Sequence, residues 1–476
     1  MLLSLDNQDS KPLVLQIVDG VQRLVDQRML RQGARLPSIR QFAQEHRVSR
    51  FTVVQAYDRL VAAGTLDSRR GSGFYVARPI ATSNHAAPGV RLDLAMDTLW
   101  LVHRSMAEYS SRYMPGCGWL PASWQDSAGL ARSLRGMARS NPMALLEGYG
   151  SASGYPPLRQ DIQQHLHGIG IHAELEQIIT THGVVTAIDL LGRYLLQPGD
   201  VVLVDDPGYF HSFGQLQTMG AEIIGVRRGR QGPDTEMLAE LAQRHRPKFF
   251  LTTSVLHNPT GLSISQSCAY RVLRLAEEHD FYILEDDIYG FFNPHPSTRL
   301  ATLDQLNRVI YLNGFSKTIT PKLRVGYMVA PRAFVHDLLD LKLMTGLASS
   351  ELAEKLTHQI LLEGYYRKHL GQVRDRLQRA REHTMSQLER SGLRLYAEPE
   401  FGMFVSARFE HIEDATPLAA QAAAQDILLA PGSIFRPHQQ PSPWLRFNVA
   451  YCDQAAIFDF LQRAAEEHAR HETAQD

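Results

Sequence analysis

The sequence predicts a multidomain chain in which a small α+β module precedes a large α/β domain that carries a smaller C-terminal α/β subdomain. Three observations lead there. Residues 12–77 read as helix, helix, helix and hairpin, residues 78–91 lose apolar periodicity, and beyond them strand-like runs alternate with helical stretches. A chain of 476 residues has room for two or three cores. The expected boundaries are a module at 1–77, a linker at 78–91 and a body at 92–470, divided into a large part at about 140–345 and a small part at about 346–470.

In the first module, Leu13, Ile17, Val18, Val21, Leu24 and Val25 recur at helical spacing and predict an amphipathic helix that ends before Gly33. Ser38 opens a second helix, with Gln41 placed to complete a capping box and Ile39, Phe42 and Ala43 facing one way. Ser49 caps a third, whose apolar positions are Val53, Ala56, Tyr57 and Leu60 and which stops at Gly64. Two short strands, Thr65 to Arg69 and Phe74 to Val76, flank Arg70-Gly71-Ser72-Gly73. This is a winged helix-turn-helix.

Charge agrees with that reading. Residues 1–77 hold 11 Lys/Arg against 7 Asp/Glu, so a whole-chain charge of -1 leaves about -5 for the remainder. A basic head on a mildly acidic body suits a polyanion bound at one end, here double-stranded DNA. Ser49, Arg50, Thr52 and Gln55 sit at the start of the third helix, where side chains reach base edges and free amides favour phosphate. Arg40, Arg69 and Arg70 are placed for backbone contacts, and Gly71 and Gly73 let the wing approach a groove. The stretch RLPSIRQFAQEHRVSRFTVVQAYDRLVAAGTLDSRRGSGFYV resembles the GntR-type winged-helix head over about residues 12–77.

From Arg78 to Arg91 the chain is rich in Pro, Ser, Ala and Gly, a linker composition. Beyond it, runs at 201–204, 248–252, 281–284 and 308–312 predict a mostly parallel sheet. Cys117, Cys268 and Cys452 lie far apart with no metal spacing, so no disulfide framework and no metal site is expected. Asp6 and Asp9 interrupt any leader-like start, and no run of about 18 apolar residues occurs, which predicts a soluble cytoplasmic protein without a membrane partner.

The strongest chemical signal is Phe315-Ser316-Lys317 after an apolar strand, with Arg324 seven residues on. Asn258-Pro259-Thr260-Gly261, Asp286-Asp287-Ile288-Tyr289 and Asp206-Pro207-Gly208-Tyr209 follow other strands, where ligands collect in an open parallel sheet. These residue types suit pyridoxal 5'-phosphate (PLP). Lys317 would form the aldimine, Asp286 would keep the ring nitrogen protonated, and Asn258 and Tyr289 would bond the phenolic oxygen. Arg324 would pair with the phosphate, which also needs the amides of a helix start, offered by Thr180 to Leu191 with Gly183, Val184 and Val185 at its mouth. Tyr209 is placed to stack on the ring.

With EGYGSASGYPPLR, PGSIF and Leu445-Arg446-Phe447, these segments resemble the aminotransferase class I/II family, the fold-type I PLP enzymes, over roughly residues 92–470. The resemblance implies that Arg446 grips an α-carboxylate and that Tyr149 reaches the phosphate of a neighbouring subunit. The sequence departs from the family at Gly314, where a Ser or Thr is usual, and at His182, Val184 and Val185 in the phosphate turn. A GntR-type head on such a body is the arrangement of the MocR subfamily of regulators. Membership implies PLP, with an amino acid or amine, as effector and a head-to-tail homodimer. An active aminotransferase carrying a DNA-binding domain remains open, because the catalytic lysine is kept, and so does a PLP carrier.

Overall fold

The computed structural model describes residues 11–26, 34–46, 48–69, 73–77, 111–140, 148–362 and 364–473. The chain divides into two units, Met1–Pro88 and Gly89–Asp476.

In the first unit α1 (Leu13–Asp26), α2 (Ile39–His46) and α3 (Arg50–Ala62) precede a hairpin of β1 (Leu66–Arg69) and β2 (Gly73–Val76). Ile17, Val21, Phe42, Val53, Ala56, Tyr57 and Leu60 are fully buried, so the periodic apolar positions do form one core. Tyr57 donates to the Pro37 carbonyl at 3.1 Å, which satisfies its hydroxyl within that core. The Ser49 hydroxyl accepts from the Thr52 amide at 3.0 Å and caps α3. The capping box expected at α2 is half made. Ser38 Oγ accepts from the Gln41 amide at 3.2 Å, but Gln41 Nε2 donates to Glu45 one turn on. Arg35 pairs with Tyr75, so the hairpin gains a third chain that periodicity did not disclose.

The second unit is built on an eight-stranded sheet in the order β3-β10-β9-β8-β7-β4-β5-β6. Its strands are β3 (Ile178–Thr181), β4 (Val201–Asp206), β5 (Glu222–Gly229), β6 (Gly232–Pro233), β7 (Phe249–Thr252), β8 (Tyr282–Asp286), β9 (Val309–Gly314) and β10 (Gly326–Val329). The five from β9 to β5 run parallel, whereas β10 is antiparallel to both neighbours and β6 is antiparallel to β5. Successive residues face opposite cores. Val202, Val204, Ile310 and Leu312 enter one cluster, and Leu203, Val309 and Tyr311 enter the other. Helices therefore cover both faces, and the strands read as continuous apolar runs.

A four-stranded antiparallel sheet of β11 (Arg394–Leu395), β12 (Phe404–Arg408), β13 (Ala430–Pro431) and β14 (Trp444–Asn448) follows in the order β11-β12-β14-β13. The segment at 111–120 lies along this part of the body. Tyr113 bridges Ile427, and the Gly116 amide donates to the Leu428 carbonyl at 2.7 Å. A Cβ at Gly116 would come within 2.6 Å of the Leu429 backbone, so only glycine permits this approach. Among the described residues no helix is long and apolar enough to cross a membrane.

Candidate functional site

The chemistry-bearing residues of the body gather outside the carboxyl ends of the parallel strands. Around β4 the strand order reverses, with β5 on one side and β7, β8 and β9 on the other, and this creates a crevice. A cavity there is lined by Asp205, Tyr209, Ser212, Thr252, His257 and Asp286. Lys317 follows β9, and its Nζ lies 5.7 Å from the centre of the Tyr289 ring.

Burial, with the nearby Arg446 as a second cause, lowers the Lys317 amine to about 8. Burial raises the Asp286 carboxyl to about 7, Asp287 adds to the rise, and Lys317 opposes it. Its Oδ1 accepts from the Ile288 amide at 3.1 Å. A buried carboxylate without a close cationic partner is costly, and a cation placed against Asp286 would offset that cost. Asn258 Oδ1 accepts from Arg446 Nη1 at 3.0 Å, which leaves the Asn258 amide to hydrogen-bond the Tyr289 hydroxyl. Burial pushes the Tyr289 phenol far up and Tyr209 up to about 12.

An anion cup stands on the other side. Helix Val184–Leu195 begins after Gly183, whose φ of 84° no ordinary side chain favours, and the helix start has no side-chain cap. Arg324 Nη2 donates to the His182 carbonyl at 2.9 Å, and a Cβ on Gly183 would lie 2.7 Å from that nitrogen. The expected helix start is thus moved from Thr180 to Val184, since 178–181 are strand, but Gly183, Val184 and Val185 do form its mouth. Gly314 has a packing reason. A Cβ there would meet Gly326 Cα at 2.9 Å and the Val325 carbonyl at 3.0 Å, so a hydroxyl-bearing residue would force β9 and β10 apart.

Arg446 is 2% exposed and its guanidinium lies 4.5 Å from the Phe404 ring centre and 4.9 Å from that of Phe435. Its Nη2 donates to the Gly116 and Cys117 carbonyls, while Nε has no partner among the described residues. Lys317 Nζ donates to the Gly118 carbonyl at 2.7 Å. One backbone segment therefore accepts from both side chains, which the motifs did not reveal. Its only sequence sign is the Pro115-Gly116-Cys117-Gly118 run at the start of the body.

A second unforeseen group lies against the cavity. Asp205 Oδ2 accepts from Arg228 Nη1 at 2.9 Å and from Thr252 Oγ1 at 2.7 Å, with all three residues buried. Burial raises Asp205, and burial first, then Arg228, holds His257 well below the usual imidazole range. Asp206 receives two 3.1 Å bonds from Arg436, tying the crevice to the chain after β13. Tyr149 stands apart at 80% exposure and is not brought to the crevice of its own chain.

The donor set can be tested against a cofactor. It offers an amine, a carboxylate for a ring cation, an amide and phenol for a phenolic oxygen, and a glycine-lined cup with an arginine for a phosphate. The residues present fit PLP.

On the first unit Arg40, Arg50 and Gln55 are exposed, as an interface requires. Thr52 is half-buried, and its hydroxyl lies 2.7 Å from that of Ser49, so both are engaged in the cap. Gly73 takes φ 112° close to Arg35. Arg70 and Gly71 lie outside the described residues, as does the side chain of Arg69. Phe51 beside Arg50 is 69% exposed.

Residues 135–463 match the model of the aminotransferase class I and II family. The chain belongs to that family. Residues 13–76 of this aminotransferase-family chain also match bacterial regulatory proteins of the gntR family. Whole-length relatives share the arrangement. HTH-type transcriptional regulator YisV of Bacillus subtilis is 26% identical over 91% of each chain. A protein of Rhizobium meliloti described as a probable rhizopine catabolism regulatory protein, MocR, is 29% identical over 90% of this chain and 88% of its own. Among solved structures, the α-aminoadipate aminotransferase LysN of Thermus thermophilus, complexed with N-(5'-phosphopyridoxyl)-L-leucine, aligns at TM-score 0.67 and 26% identity over 74% of this chain and 90% of its own. The kynurenine aminotransferase of Pyrococcus horikoshii aligns at 0.70 and 25% over 81% and 94%. The gntR-type head on an aminotransferase-family body is the MocR-type arrangement.

Proposed function

We propose that this chain is a DNA-binding transcription regulator whose body holds PLP and reports the arrival of an amino acid or amine. The observation that carries the reading is the joint retention of a capped, basic recognition helix and a complete cofactor constellation in one chain. PLP supplies an electrophilic aldehyde and an electron-withdrawing ring. The chain's own residues do the rest: Lys317 offers an amine that is readily neutral, Asp286 a carboxylate for the ring nitrogen, Asn258 and Tyr289 bonds to the phenolic oxygen, and Arg324 with the 183–185 amides a seat for the phosphate. Tyr209, on the cavity wall, covers the ring. Arg446 is the carboxylate anchor, and its present partners, the 116–117 carbonyls, are what an effector carboxylate would replace. A charged acceptor bonds more strongly than a neutral carbonyl, which gives the exchange its direction.

In the head, Arg50 and Gln55 read bases, Arg40, Arg69 and Arg70 hold the backbone, and Gly71 and Gly73 bring the wing close. The working form in this reading is a cytoplasmic homodimer, in which exposed Tyr149 serves the partner's phosphate. Effector binding shifts DNA affinity only by its differential affinity for the two states of the dimer.

The test is a spectral titration of PLP-loaded protein with amino acids and amines, with and without DNA carrying the regulator's binding site. A spectral shift without product, coupled to a change in DNA affinity, is the expected result. Sustained turnover with no effect on DNA would favour an aminotransferase with a DNA-binding appendage, a reading that the intact lysine supports.

A further inference from the structure

The phosphate cup has fewer side-chain donors than its shape suggests. Val184 carries no polar group and Gly314 no side chain, and two neighbouring hydroxyls are committed elsewhere. Thr181 Oγ1 donates to the Gly183 carbonyl at 3.0 Å and Thr186 Oγ1 to the His182 carbonyl at 3.3 Å. A phosphate presents three terminal oxygens, more than one arginine and a helix start bond fully.

The helix at Phe210–Thr218 packs on the helix at Val184–Leu195 that opens this cup. Gln215 Nε2 donates to the Val185 carbonyl at 2.8 Å, which fixes the face turned toward the cup. His211 lies four residues earlier on that same face, one turn nearer the crevice. Its ring is nearly parallel to that of Tyr209, at 15° and 6.1 Å between centroids. Its Nδ1 is shielded from solvent and has no hydrogen-bond partner among the described residues. A polar atom buried without a partner is disfavoured, so an orphan beside an anion cup calls for an explanation.

We propose that His211 is a phosphate-binding residue of the cofactor cup, its Nδ1–H supplying a donor that positions 184 and 314 lack. The assignment rests on the PLP reading above. Burial and the Arg324 guanidinium both lower the His211 imidazole, so the ring is neutral at pH 7 and acts as a dipolar donor beside the charged arginine.

The test separates the phosphate from the ring by using two probes, PLP and pyridoxal, which lacks the phosphate. Apo protein is titrated with each by absorbance for the wild type, His211→Ala and His211→Asn. The expected result is a PLP dissociation constant raised about tenfold in His211→Ala, with pyridoxal binding unchanged. Asn keeps an N–H donor and should recover most of the PLP affinity. Unchanged PLP affinity in the Ala variant overturns the assignment. Equal losses for PLP and pyridoxal overturn it too, because they mark a packing role, and so does an Asn variant as weak as Ala. If wild-type protein binds neither probe, the cofactor reading itself fails and the assignment with it.

Discussion

Lys317 and Gly118, 199 residues apart in the chain, are joined by a 2.7 Å hydrogen bond from Nζ to the carbonyl oxygen. The next carbonyls back along the segment accept from Arg446, so residues 116–118 hold the Lys317 amine and the Arg446 guanidinium together. In the proposed reading, cofactor and effector would take the place of these partners.

The amine comes first. Lys317→Ala protein mixed with PLP should stay colourless after desalting, whereas wild-type protein turns yellow. An equally yellow variant would place the cofactor on another residue.

The second prediction concerns pH. With Lys317 lowered to about 8, the neutral amine that attacks an aldehyde grows about tenfold per pH unit below that value and levels off above it. Capture of PLP by apo protein, followed by stopped-flow absorbance from about pH 6 to about pH 9, should trace that curve. A flat profile would sink the idea that the free amine limits capture.

Asp286 gives a stability counterpart. Its carboxyl is raised from 3.8 to about 7, so unfolding releases a proton throughout that interval. Apo stability therefore falls as pH rises from about 4 to about 7 on this account. Asp286→Asn removes the penalty, and its apo protein should gain at most about 4 kcal/mol at pH 8 and nothing near pH 4. Denaturant titrations at the two pH values measure the difference, and an equal gain at both would refute the ionic cause. The same variant should hold PLP more weakly, since the ring cation loses its partner.

Arg446→Gln should abolish the spectral shifts that amino acids cause in PLP-loaded protein and leave those caused by amines without a carboxylate. Retained shifts with amino acids would move the anchor elsewhere.

Arg50→Ala should weaken DNA binding by about 1–3 kcal/mol in a mobility-shift titration while the visible spectrum stays unaltered. If Arg50 contacts only phosphate, the loss will be uniform across DNA sequences and will shrink as salt rises.

Much of this protein was legible in one dimension. The three helices of the head follow from residues three and four apart, the Ser49 cap from a hydroxyl three residues before the amide it accepts from, and the central strands from apolar runs bounded by turns. Lys317, Asp286, Tyr289 and Asn258 could be named as candidates because each ends or follows a strand, and parallel sheets collect such ends in one crevice. These are consequences of short-range geometry, so spacing reports them.

What tertiary structure alone decided lies between distant segments. Gly116 and Arg446 are 330 residues apart, Asp205 and Thr252 are 47, and no period links either pair. Gly314 looked like a missing hydroxyl in the sequence, and only the closeness of β10 makes glycine a requirement there. The orphan nitrogen of His211 is visible only once its helix is packed on the cup. A linear pattern records which side chains can reach one another along a turn or a strand; it holds no record of which backbone carbonyls will stand opposite a buried cation. Sequence by itself therefore determined the two folds, and packing decided which backbone carbonyls Lys317 and Arg446 hold.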